Sequence, residues 1–136
     1  MEKMIYFRGV PFYAPDRFAF GYLIIDDTNT HRICKEYDGE MFSEIVKPDT
    51  VGQFTKLYDA TGYTIYEDDI IEYVESYTVT GGEIKIQGVV KMDIKGYWCL
   101  SINDRKIPFY EMEGLYESTR RLSRVKKVGN IHIDKL

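Results

Sequence analysis

The chain has 136 residues and a mass of 16.0 kDa, and its 12 Tyr, 7 Phe and 1 Trp make it 15% aromatic. Charged residues contribute 29% of it and leave a net charge of −4. This length excludes two full-size globular domains, and the apolar and aromatic content excludes a disordered chain.

Short strands broken by turn residues dominate the first half. Met4–Arg8 reads as a strand, and Pro11 and Pro15 bracket a loop because proline lacks the ladder N–H. Phe18–Ile25 is a second strand, closed by the turn cluster Asp26–Asn29. His31–Tyr37 returns, with Ile33, Lys35 and Tyr37 on one face. Asp38-Gly39 turns the chain again. Met41–Val46 fits a strand or a short helix, and Lys47-Pro48-Asp49 breaks it.

The second half is more regular. Thr64-Ile65-Tyr66 leads through Asp68-Asp69 into the apolar run from Ile70 to Glu75. Thr80-Gly81-Gly82-Glu83 is a hairpin signal, and Ile84–Met92 is the partner strand, with Gly88 marking a bulge. Asp93–Gly96 turns into the strand Tyr97–Ile102, and Asn103–Lys106 turns again. Pro108–Leu122 is ambiguous: Phe109, Met112, Leu115, Tyr116 and Leu122 could line a helix, or the segment starts as a strand. Val128–Ile133 closes the chain as a strand. Strands at this spacing, with no crossover helices, argue for a barrel or sandwich and against a doubly wound sheet.

Charge is unevenly spread. Residues 63–82 carry five acidic side chains and no basic one, whereas residues 120–136 carry six basic and one acidic. Segments of −5 and +5 can pair within one chain, between copies, or with separate partners. Cys34 and Cys99 form no CxxC pair and cluster with no histidine, so they read as free buried thiols of a reducing cytosol. Arg8 ends the first apolar run too early for a secretory signal, and no segment approaches the ~20 apolar residues of a membrane span.

Three stretches carry a resemblance. They are Phe7-Arg8-Gly9 with Gly21-Tyr22-Leu23-Ile24 downstream, then Val51–Thr55 with Leu57, Asp59, Gly62 and Ile65–Ile71, and last Val128–Ile131. Gly88-Val89-Val90 and Trp98 fall where a strand pair is expected. In order and spacing the chain resembles the YopX family of phage and prophage proteins over almost its whole length. The resemblance implies an SH3-like β-barrel and carries no catalytic residues. Lys56 and Asp68 stand where that family usually has glycine, so the backbone there is expected to avoid positive φ.

Glu67, Asp68 and Asp69 offer oxygens of the kind Mg²⁺ or Ca²⁺ takes, but without EF-hand spacing. Neighbours in an extended chain also point to opposite faces, so the expectation is a turn whose carboxylates accept backbone N–H bonds. The basic tract Arg120, Arg121, Arg124, Lys126 and Lys127 could neutralise phosphates, with Tyr110 and Tyr116 near enough in sequence to stack on bases. A pI near 5.2 counts against it. Tyr58, Tyr63, Tyr66, Tyr73 and Tyr77 crowd one region and suggest either a recognition surface or cross-strand aromatic pairing. His31 and His132 belong to no nucleophile motif, Gly81-Gly82 is no phosphate loop, and His132 alternates with Ile131 and Ile133 as on a strand's solvent face.

The expectation is a mainly β protein with few or no helices. A small SH3-like barrel spans residues 50–136, and an N-terminal β subdomain spans 1–49. It is expected to be a non-enzymatic interaction module with no cofactor and no metal. It acts as a homo-oligomer or adaptor in phage biology in the host cytoplasm, off the membrane. The alternative is a nucleic-acid-binding accessory protein using the basic tract.

Overall fold

Turn chemistry sets the strand boundaries. A computed structural model describes residues 6–112, 115–116 and 118–133. They form two compact units: one runs through Phe54 and takes in His132 and Ile133, and the other runs from Thr55 to Ile131.

In the first unit β1 (Phe7–Gly9), β2 (Ala19–Ile25), β3 (His31–Tyr37) and β4 (Glu40–Ile45) pair in sequence, each antiparallel to the last. The Asp26 carboxylate shapes the β2–β3 turn by accepting the Thr28 and Thr30 N–H groups at 2.9 and 3.0 Å. Asp38 and Gly39 both take positive φ, at 53° and 80°, as a two-residue hairpin loop requires. That loop feeds the chain straight back along β3, so the ambiguous Met41–Val46 segment becomes a strand. The chain then makes a 3-10 turn at Pro48–Thr50 and enters β5 (Gly52–Tyr58), whose first residues pair with β1. Of the expected first strand, Met4 and Ile5 lie outside the described residues. The core here is small: Ala19, Ile33 and Val46 are buried, with Phe7, Leu23 and Val51 packed against them.

The second unit takes up the rest of β5, then β6 (Thr64–Tyr66), β7 (Asp69–Tyr77), β8 (Glu83–Met92), β9 (Trp98–Ile102) and β10 (Arg105–Pro108). After a 3-10 turn at Phe109–Glu111 come β11 (Leu115–Tyr116), β12 (Arg121–Leu122) and β13 (Val125–Asn130). Five strands form an antiparallel sheet in the order β10-β9-β8-β7-β13. β6 and β12 pair with β5, the latter in parallel at Arg121 and Tyr58, and β11 pairs with β12. Ile65, Ile71, Val90, Leu100, Leu122 and Val125 are at most 1% exposed and centre the core. Each such side chain contributes about 1.5–3 kcal/mol.

The protein is mainly β, and the helical content of the described residues is two 3-10 turns. Among the described residues no ladder joins β10 to β13, so the five-stranded sheet keeps two edges.

Several elements depart from expectation. Pro108–Leu122 holds no α-helix among its described residues: Phe109 reaches the core from a 3-10 turn, Met112 from the position just after it and Leu122 from a two-residue strand. The turn at Asn103-Asp104 is shorter than expected, because Arg105–Pro108 pairs with β9. Gly88 marks no bulge. It pairs regularly with Ile71, and a Cβ there would stand 2.5 Å from the Ser101 carbonyl oxygen. The bulges fall instead between Val74 and Ser76 and between Lys127 and Gly129. β13 begins at Val125, inside the basic tract, and His132 lies beyond its end.

Lys56 and Asp68 overturn the expected backbone, since both take positive φ, at 67° and 73°. Tertiary bonds hold them there. Arg120 Nε donates to the Lys56 carbonyl at 2.7 Å. The Asp68 N–H donates to Val90 O at 2.8 Å, and Asp68 O accepts from Ile131 N at 3.1 Å. A left-handed residue with a Cβ costs about 1–2 kcal/mol. Lys56→Gly is therefore expected to stabilise the protein by up to about 1 kcal/mol in urea unfolding, the added chain entropy offsetting part of the relief.

Candidate functional site

Asp59 opens the segment Asp59-Ala60-Thr61-Gly62-Tyr63, and its buried carboxylate organises the turn. Oδ1 accepts Thr61 N at 2.9 Å, Thr61 Oγ1 at 2.8 Å and Tyr63 N at 2.9 Å. Oδ2 accepts Lys127 N on β13 at 2.9 Å. Burial disfavours the charged form, yet the bonds from Lys127, Thr61 and Tyr63 outweigh it and hold the Asp59 pKa below its ordinary value.

Lys127 completes this cluster. It is buried, its Nζ donates to Thr64 O at 3.0 Å, and it pairs with the fully buried Asp69 at 3.2 Å. Asp69 Oδ2 also accepts Tyr66 N at 2.7 Å, and Asp68 pairs separately with Lys91 at 2.5 Å. The two aspartates thus turn to different partners. Among the described residues no group of three His, Cys, Asp or Glu side chains is placed to hold a metal.

This geometry divides the basic tract. Alternation along β13 puts Val125 and Lys127 inside and Lys126 outside. Lys127 is thereby withdrawn from the expected nucleic-acid surface, because its charge is taken up by Asp69. Arg120 is tied to the Lys56 carbonyl. Arg124 lies over the Tyr77 ring, 5.2 Å from its centroid. Arg121 is exposed and makes no ion pair among the described residues. Of the five tyrosines, Tyr66 and Tyr73 are buried and leave the expected contact surface. Tyr63 and Tyr77 are exposed and Tyr58 is half-buried. Tyr110 is exposed but packs edge-on against Tyr97. The Tyr116 side chain lies outside the described residues.

The parallel contact between β12 and β5 brings Arg121 to Tyr58. A pocket of about 420 Å³ there is lined by Ala60, Ser118, Thr119, Arg121 and Ser123. A neighbouring one of about 280 Å³ is lined by Tyr58, Gly62, Thr119 and Arg121. Gly62 has φ +97°, and a Cβ there would meet Arg121 Nη2 at 2.9 Å.

The first unit offers a surface that the sequence pattern did not single out. β4 ends its sheet, with Met41 64%, Phe42 54% and Ile45 41% exposed. Phe20, Tyr22 and Ile24 alternate on β2 and are exposed as well. Beside them is a groove of about 520 Å³, walled by Phe18, Phe42 and Tyr37 and flanked by Arg17, Lys35 and Glu44. Glu44 is held by the Arg17 guanidinium at 2.5 Å and by the Tyr13 hydroxyl. The Arg17 bonds lead in lowering the Glu44 pKa against the opposing effect of burial. The signal was legible in part, since Glu40–Ile45 puts apolar side chains on both faces.

His31 Nδ1 lies 3.1 Å from Asn29 O. Cys34 and Cys99 are free and buried, and burial raises the Cys99 pKa. No helix among the described residues is long and apolar enough to cross a membrane.

A family model described as YopX protein matches residues 17–134. The chain belongs to the YopX family. No curated protein matches it. The YopX match takes in the β2–β4 surface, the Asp59 turn and the Arg121 pockets.

The Asp59 geometry has a pH consequence. Its pKa is depressed in the folded protein, so its stabilisation is complete above the ordinary carboxylate range and lost as pH falls through the depressed value. Asp59→Asn turns an amide N–H toward a backbone donor and is expected to cost about 1–3 kcal/mol at neutral pH. The loss should shrink on acidification, as followed by urea unfolding from pH 7 downward.

Proposed function

We propose that this YopX-family protein is a non-enzymatic interaction module that self-associates, encoded by a phage or prophage and acting in the host cytoplasm. In this reading the second unit is a small SH3-like barrel, supported by its tight hairpins and its single apolar core. The observation that carries self-association is the apolar edge of β4 around Met41 and Phe42, on the side away from the Ile45 end that the Phe12 N–H covers. An exposed edge strand is a template for another strand. Antiparallel pairing of two β4 strands centred on Phe42 sets Phe42 of one copy opposite Phe42 of the other and Met41 opposite Ser43, clear of the Ile45 carbonyl that accepts Phe12 N at 3.3 Å. Light scattering at low and high salt is expected to show a dimer or larger species that survives high salt. The double variant Met41→Lys, Phe42→Lys should shift it to monomer, and a strict monomer of the unaltered chain in both buffers sinks the reading.

A second reading, nucleic-acid contact, is favoured by Arg121, which is exposed beside Tyr58 without an ion pair among the described residues. Arg120, Arg124 and Lys126 would add to it. Neutralising these four is expected to reduce the salt slope of single-strand binding by up to about 3. Lys127 stays unaltered in this test because its removal would strand Asp69. Absence of binding by the unaltered chain at low salt ends this reading.

A further inference from the structure

The two pockets at Arg121 share Thr119 and Arg121, so they are lobes of one site. Their chemistry differs. The larger lobe presents the hydroxyl side chains Ser118, Thr119 and Ser123 beside the guanidinium. The smaller lobe presents the half-buried Tyr58 ring and the bare backbone of Gly62. No carboxylate is among the described residues lining either lobe.

A guanidinium fork matches two oxygens of a phosphate, and hydroxyl groups can donate to those that remain. An aromatic ring at the next position accepts the face of a base with little regard to which base it is. Gly62 gives the Arg121 guanidinium room, since a Cβ would stand 2.9 Å from Nη2. Arg120, the adjacent residue, is anchored at the Lys56 carbonyl.

We propose that this site binds a phosphate group joined to a nucleobase, with the phosphate on Arg121 and the hydroxyl-lined lobe and the base on Tyr58. The proposal rests on the nucleic-acid reading and adds the ligand's chemical class and the residues that hold it. The phosphate can come from a free nucleotide or from a strand of nucleic acid, and the two sources are separated by the test.

The full chain is titrated at low salt with inorganic phosphate, adenosine, adenosine 5′-monophosphate and a short single-stranded oligodeoxyadenylate. Each titration is repeated with Arg121→Lys, Tyr58→Leu and the outlying Lys126→Ala, after thermal melts confirm that each variant is folded. The nucleotide or the oligonucleotide is expected to bind, and adenosine is not. Arg121→Lys, which keeps the charge but loses the fork, should weaken binding about tenfold. Tyr58→Leu should weaken nucleotide binding about tenfold, the loss of one base–aromatic stack, while leaving inorganic phosphate unchanged. Lys126→Ala should alter only the salt slope of the oligonucleotide.

Tighter binding of the oligonucleotide assigns the phosphate to a strand, and tighter binding of the monophosphate assigns it to a free nucleotide; either supports the site. If the oligonucleotide binds but the pocket variants behave like Lys126→Ala, the site is overturned while the nucleic-acid reading stands. If no phosphate-bearing probe binds, both are overturned. If Tyr58→Leu has no effect on any probe, the assignment of the base to Tyr58 is overturned.

Discussion

Lys127 enters the second unit with its ammonium between the Thr64 carbonyl and the Asp69 carboxylate, while its own N–H is received by Asp59. One residue therefore ties β13 to the turn after β5, to β6 and to the start of β7. A charge this deep is stable only because every partner is in place. Losing one side of a buried pair costs about 3–5 kcal/mol, since the other side is left uncompensated. Specific pairing of this kind also fixes strand register: a one-residue slip of β13 would put Lys126 inside and carry Lys127 into solvent.

The charge pattern follows from that constraint. A tract of five basic residues reads as one electrostatic surface when taken linearly. In a strand the period of two separates neighbours, so Lys126 faces water and Lys127 faces Asp69. The acidic and basic segments thus meet within a single chain along the β7–β13 ladder, where Lys126 stands in register with Glu72 and the Lys127 ammonium reaches Asp69. Arg120 and Arg124 are engaged by Lys56 O and the Tyr77 ring, which leaves Arg121 as the side chain directed at the Tyr58 pockets.

The first unit is built under a different limit. Ala19, Ile33 and Val46 centre its core among the described residues, and its last strand keeps apolar residues on both faces in contact with water. A three-or-more-stranded sheet with so small a core gains from any surface that covers those residues. The neighbouring network of Glu44, Arg17 and Tyr13 places charge at the flank of the apolar groove. Charge at a flank of that kind opposes indiscriminate stacking and favours a defined register.

Local chemistry was legible in the sequence. The turns at Asp26–Asn29, Asp38-Gly39, Gly81-Gly82 and Asp93–Gly96 depend on side chains bonding the backbone a few residues away, or on glycine at positive φ. They fixed most strand boundaries and hence the mainly β class. The free buried cysteines and the family signature around Val51–Ile71 were legible for the same reason: composition and spacing lie within the chain itself. Tertiary structure decided the rest. The Lys127–Asp59 bond spans 68 positions, and no local pattern marks which of two adjacent lysines will be buried. The left-handed backbone at Lys56 and Asp68 depends on Arg120 and on Val90 and Ile131, far along the chain. Tyr66 and Tyr73 became core and Tyr58 came to line a pocket because strand pairing determines which face meets another layer. The aromatic count and the net charge of −4 were in the sequence; which rings and which charges remain at the surface was settled by contacts between residues distant along the chain.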